Sequence, residues 1–240
     1  MQNHRLKKPG LSLFTICGLI LGGLAPLSPL AASSPEPIWR LTSAQEGEAS
    51  RELVRANPIS AEGYGEGLEF MGNGSRAMIQ ERPDLSQKDS ATVTLFFRCN
   101  QLPTPREEGG TAAAALFSCA YDLLVRVYPG GEVYGAFRNR DGDLIGAFSD
   151  KKVSTDEWHH VAVVFSTPEK QLRIYLDGSL VATTKGEVGE LAPLPISPLV
   201  IGSDPDKNDF LGAVTDLQLF DRALTQEEIG EVIRKAQTAQ

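Results

Sequence analysis

The stretch from residue 171 to 184, QLRIYLDGSLVATT, constrains the fold more than any other part of the chain. Leu172, Ile174 and Leu176 fall on one side of an extended backbone, with Arg173 and Tyr175 on the other. That period of two marks a strand with one buried face. Asp177-Gly178 follows directly. A two-residue hairpin needs positive φ at both positions, which Asp tolerates and Gly adopts freely, so the chain must double back here. An antiparallel sheet is therefore required.

The same pattern recurs upstream. Val93, Leu95 and Phe97 share a face, with Cys99 next on it, and Ala115, Phe117 and Cys119 align in the same way. Leu123, Val125 and Val127 begin a third run. Pro129-Gly130-Gly131 turns the chain, and Val133 to Phe137 continues it. Asp141-Gly142 separates the segments YGAF and IGAF, a spacing that suits a meander. One helix is predicted. Thr225 and Glu228 form a capping box, and Ile229, Val232, Ile233 and Ala236 follow at helical spacing. Trp39 to Leu41 reads as an edge strand. Residues 43–67, rich in Glu, Ser, Ala and Gly without apolar periodicity, read as loop. Many short strands, 23 Gly and 15 Pro, and a single terminal helix predict an all-β, antiparallel two-sheet β-sandwich with one short C-terminal helix.

The first 33 residues have the pattern of a signal peptide. Arg5, Lys7 and Lys8 precede an uncharged apolar run from Leu11 to Leu24, and Ala31, Ala32 and Ser33 offer a cleavage site. As an uncleaved anchor the run falls short of the roughly 20 apolar residues that a span needs, so no transmembrane anchor is expected after cleavage. Cys17 lies inside the apolar run. Its context, Phe14-Thr15-Ile16, is not what lipoprotein processing reads. The expected division is a signal peptide at 1–33, an edge strand and loop at 34–67, and the sandwich at 68–236. The location expected is secreted, periplasmic or otherwise extracytoplasmic. Losing three basic residues makes the net charge of −8 more negative still, which argues against nucleic acid as a partner. Two cysteines, Cys99 and Cys119, remain in a chain bound for an oxidising compartment, and a disulfide between neighbouring strands is the expectation.

Four segments in order, WHHVAV (158–163), LRIYLDG (172–178), VIG (200–202) and a last strand leading into RALTQEEI (222–229), resemble the laminin G-like jelly-roll domains of the concanavalin A-like lectin superfamily. The resemblance covers about residues 68–233 and implies a jelly roll. It also implies that Trp158-His159-His160 serves core and sheet packing. In several such domains an aspartate on the last core strand holds a structural calcium. Asp216 takes that place here, although Met71 stands where many relatives carry a further aspartate.

Glucanases share the superfamily fold, and they need two carboxylates about 5–5.5 Å apart in retaining members. Glu187 and Glu190 have the wrong parity on a strand, and adjacent Asp156 and Glu157 point to opposite faces. Asp141 and Asp143 flank a turn glycine. None of these pairs suits catalysis, and no serine or cysteine lies in a nucleophile-elbow context, so no catalytic residue is assigned. Asp204, Asp206, Asn208 and Asp209 offer the oxygens that a hard cation wants. An EF-hand is excluded, because Asp209 occupies the place of the required Gly and Thr215 that of the closing Glu. As a turn the segment needs no metal.

For ligand contact the first choice is Tyr134 with the polar segment Arg138, Asn139, Arg140, Asp141 and Asp143, since binding residues concentrate on loops carried by rigid scaffolds. A non-catalytic recognition module for a glycan is expected. A domain that binds an extracellular protein, or serves an envelope structure without sugar affinity, is the alternative. Calcium at Asp216 is the one cofactor expectation.

Overall fold

The structure is a computed structural model, and it describes residues 35–41, 51–81, 83–85, 87–104, 112–184 and 186–238, with the backbone alone at Arg51. The signal-peptide segment lies outside the described residues. Among the described residues there are fifteen strands: β1 (Trp39–Arg40), β2 (Arg51–Val54), β3 (Ala56–Ala61), β4 (Gly65–Met71), β5 (Arg76–Ile79), β6 (Ser90–Cys99), β7 (Ala114–Cys119), β8 (Leu123–Val127), β9 (Glu132–Arg138), β10 (Leu144–Lys152), β11 (Trp158–Ser166), β12 (Gln171–Leu176), β13 (Ser179–Thr183), β14 (Leu199–Ile201) and β15 (Leu211–Phe220). One helix, α1 (Gln226–Thr238), follows.

Two antiparallel sheets result. The eight-stranded sheet runs β13-β12-β11-β6-β15-β4-β3, with β1 also paired to β15. The seven-stranded sheet runs β10-β9-β8-β7-β14-β5-β2. Inward residues of both sheets meet in one core that includes Leu68, Phe70, Leu95, Phe97, Phe117, Val125, Phe137, Val163, Phe165, Ile174 and Leu219. The alternation expected on β6, β8 and β12 is therefore the core face. On β7 a bulge between Ala115 and Phe117 breaks the period, so Ala114, Leu116 and Phe117 reach the core rather than Ala115.

The Asp177-Gly178 hairpin forms as expected, with φ of 51° and 76°. Thr225 Oγ1 accepts the Glu228 amide at 3.3 Å, and Glu228 Oε2 accepts the Thr225 amide at 2.9 Å, completing the capping box. Helix α1 packs Ile229 and Val232 against Ala162, Val164, Tyr175 and Phe220, on the outer face of the eight-stranded sheet.

Three expectations are corrected. Residues 51–61 form β2 and β3 rather than loop. Each is the last strand of its sheet, where one edge and much of one face meet solvent and apolar alternation is weakest. Trp158 is half-buried on the outer face rather than in the core, stacked on Tyr64 at 4.8 Å with the Arg98 guanidinium 5.4 Å from its ring. Cys99 and Cys119 are not joined in a disulfide. They lie on β6 and β7, which belong to opposite sheets rather than neighbouring strands. Packed sheets stand about 10 Å apart, whereas a disulfide needs Cα atoms within about 7 Å. Both thiols are core residues, and burial pushes that of Cys99 up to about 12.

Candidate functional site

Strands β8, β9 and β10 carry the most aromatic exposed surface of the seven-stranded sheet. On β9, Val133 and Phe137 are fully buried, and a Cβ on Gly135 would lie 2.4 Å from Val163. The alternate residues Tyr134, Ala136 and Arg138 therefore face outward. Register places Tyr134 opposite Phe148 on one side and Arg126 on the other. Phe148 is 51 % exposed. Its ring lies 4.7 Å from that of Tyr134 and 4.9 Å from that of Tyr128, which is 6.2 Å from Tyr134. Gly146 makes this packing feasible: a Cβ there would sit 2.4 Å from the Tyr134 hydroxyl. Desolvation, with Tyr128 beside it, raises the pKa of the Tyr134 phenol. At neutral pH it is therefore both donor and acceptor.

Beside the rings, Arg126 Nη2 contacts Asp204 at 2.6 Å and Asp206 at 3.2 Å. Asp206 also accepts the Tyr121 hydroxyl at 2.7 Å. Asp204 accepts the Asn208 amide group and the backbone N–H groups of Asp206 and Asn208. Asp209 accepts from the Gly74 amide and the Ser203 hydroxyl, each at 2.7 Å. The acidic stretch thus holds its own turn and anchors Arg126. Among the described residues, no group of three or more His, Cys, Asp or Glu is arranged to hold a metal ion.

The Arg138–Asp143 segment forms the β9–β10 turn, and most of its polar groups serve that turn. Arg138 binds Asp122 through Nε at 2.5 Å, and donates to the carbonyls of Gly142 at 2.6 Å and Tyr121 at 3.1 Å. Asn139 is buried. It donates to the Val188 carbonyl and accepts the Asp143 amide. Arg140 donates to the Leu191 carbonyl at 3.2 Å and faces Glu190 at 3.4 Å. Asp141 and Asp143 are exposed. Tyr134 shares a strand face with Arg138 but stands four residues away, roughly 13 Å along the strand. The structure therefore groups Tyr134 with Phe148 and Tyr128 rather than with the turn. Phe148 was readable in principle: Ile145 and Ala147 pack against the core, so period two sends Phe148 outward.

Asp216 lies at a bulge in β15 with φ of 47° and is buried. Arg40 Nη2 is 2.9 Å from one carboxylate oxygen, and the Gln218 amide donates to the other at 2.7 Å. Desolvation raises its pKa, against Arg40 and Gln218, which lower it. The carboxylate that the resemblance offered as a calcium ligand is thus paired with a cationic side chain.

His159 and His160 point to opposite faces, as adjacent strand residues must. Nδ1 of His159 is 3.1 Å from Asp177 Oδ2, and Nε2 is 3.2 Å from Ser154 Oγ. The order Ser, His, Asp has the look of a nucleophile relay. However, the Ser154 hydroxyl donates to Glu157, and the Ser154 amide points at Nε2 from 3.3 Å. The nitrogen that a general base would use is engaged by the backbone, and the arrangement fixes the turn before β11.

Among curated protein sequences none matches the chain. Several solved structures share its fold. The binding domain of Paraclostridial Mosquitocidal Protein 1 aligns with a TM-score of 0.61 at 15 % identity, over 79 % of this chain and 48 % of that one. The ligand binding domain of botulinum neurotoxin serotype D, solved in complex with N-acetylneuraminic acid, aligns with a TM-score of 0.56 at 13 % identity, over 77 % and 45 %. The botulinum neurotoxin type G receptor binding domain aligns at 0.53 and 14 %, over 84 % and 51 %. The chain thus spans about half the length of the structures it matches. Among the described residues no helix is long and apolar enough to cross a membrane. Residues 71–230 match the profile of a laminin G-like family described as concanavalin A-like lectin/glucanases superfamily, and the chain belongs to that family.

Proposed function

We propose that the protein is a non-catalytic, extracytoplasmic module that binds carbohydrate on the outer face of β8–β10. One observation carries this reading: Phe148, half exposed, lies against Tyr134 and Tyr128 on a rigid sheet. The C–H face of a pyranose carries partial positive charge and matches the negative face of such rings. Tyr134 adds a neutral hydroxyl for orientation, and the Arg138–Asp143 turn forms the rim at the end of the strand. The leader-like first 33 residues support an extracytoplasmic setting.

Hydrolysis is disfavoured by the carboxylates themselves. A glycosidase needs an acid and a base or nucleophile with sugar between them. Here the Arg126 guanidinium contacts both Asp204 and Asp206 and occupies the space between them. With few aromatic anchors, affinities in the micromolar to millimolar range are expected, roughly 4–8 kcal/mol.

A glycan array followed by titration calorimetry tests the proposal. Phe148→Ala and Tyr134→Ala should each weaken binding by roughly 5- to 30-fold, about 1–2 kcal/mol. Arg140→Ala, which disturbs only the turn, should change it little. If Arg140→Ala abolishes binding and Phe148→Ala does not, the contact moves to the turn. A silent array together with a specific extracellular protein partner would replace sugar binding with protein recognition.

A further inference from the structure

The charges around the aromatic patch bear on which glycans it accepts. Arg126, Arg138, Lys151 and Lys152 on β8–β10, and Arg140 in the β9–β10 turn, each already face a carboxylate. Arg126 faces two, Asp204 and Asp206. Arg138 is bound to Asp122. Lys152 is 3.0 Å from Glu132, and Lys151 is 3.3 Å from Asp177. The group formed by Arg126, Asp204 and Asp206 carries more negative than positive charge, and the whole chain has a net charge of −8. The ring faces present negative potential as well. A carboxylate or sulfate brought onto this surface would lose water without gaining an unengaged cation, and it would approach like charge.

From this arrangement, and resting on the carbohydrate reading above, we infer that the patch selects uncharged glycans and rejects those ending in a carboxylated or sulfated sugar.

The test titrates the full chain with a neutral oligosaccharide from the array and with the same oligosaccharide capped by N-acetylneuraminic acid. The capped form should bind at least roughly tenfold more weakly, as unfavourable charge juxtaposition at a recognition surface demands. Glu132→Gln removes the carboxylate facing Lys152, two register positions from Tyr134. Both side chains are at the surface, so the fold is retained, and circular dichroism verifies this. The variant should narrow the preference for the neutral form while leaving neutral binding unchanged. If the capped sugar binds as tightly as the neutral one, and Phe148→Ala weakens both, the charge inference fails and the carbohydrate reading stands. If neither sugar binds, nor any other on the array, both fall.

Discussion

At the scale of single residues, His160 shows most directly what burial does. Its ring is packed edge-on to Phe96 at 4.8 Å, and neither ring nitrogen has a hydrogen-bond partner. Desolvation, only partly opposed by Asp177, brings its pKa from 6.5 to about 3. The folded chain therefore holds a neutral imidazole that the unfolded chain protonates in mild acid. A histidine with a lowered folded pKa contributes stability that is fully present above about pH 6.5. That stability is lost as pH falls toward 3, by up to about 1.4 kcal/mol per pH unit. Asp177 adds a second, lower step. Burial acts to raise its pKa but is outweighed by the His159 hydrogen bond, the His160 amide, the His159 charge and the Lys151 hydrogen bond, which bring it to about 2. Its contribution is lost only as pH falls from about 4 to 2. Thermal melts from pH 7 to 4 should show the wild type losing stability more steeply than His160→Leu, which removes both unpartnered nitrogens. Parallel curves for the two proteins would show that His160 is not the titrating group.

At the scale of elements, the helix and the inner strands were legible because their signals are local. Thr225 and Glu228 stand three residues apart and cap α1 through two reciprocal hydrogen bonds. Thr225→Ala should cost about 1 kcal/mol and lower the melting temperature by roughly 2–4 °C for a domain of this size. A melt unchanged by the substitution would mean that packing of Ile229 and Val232, not the cap, sets where the helix begins. What the sequence hid lies at the sheet margins. Strand β3 contains Pro58, opposite Leu68 on an outermost strand where a missing N–H is tolerated. Its alternation is diluted by exposed residues, so it resembled a loop. The candidate site was half legible. Tyr134 could be chosen from its own strand, whereas its ring partners come from β10 and from Tyr128 just past the end of β8, and cross-strand register is a long-range property that no local pattern encodes.

For the whole molecule, the two sheets adhere through a continuous apolar core, with Cys99 and Cys119 facing it from opposite sides. No covalent staple joins those two strands, so a reducing agent should leave the melting temperature unchanged. A thiolate is the reactive form, and burial leaves Cys99 almost none of it at neutral pH. A thiol reagent should therefore read neither cysteine in the native protein and both after denaturation without reductant. A large fall in melting temperature on reduction would restore the disulfide expectation.

Strand β15 carries a consequence for how the chain is made. It is the last strand in the sequence, yet it sits between β6 and β4 and also holds β1. During synthesis, some hundred residues must wait between the appearance of β6 and that of its neighbour. Until residue 211 emerges, both strands keep an open edge, an invitation to pair with other chains. Closure by so distant a partner is slow. The sheet of such a chain is expected to be completed only once β15 has emerged.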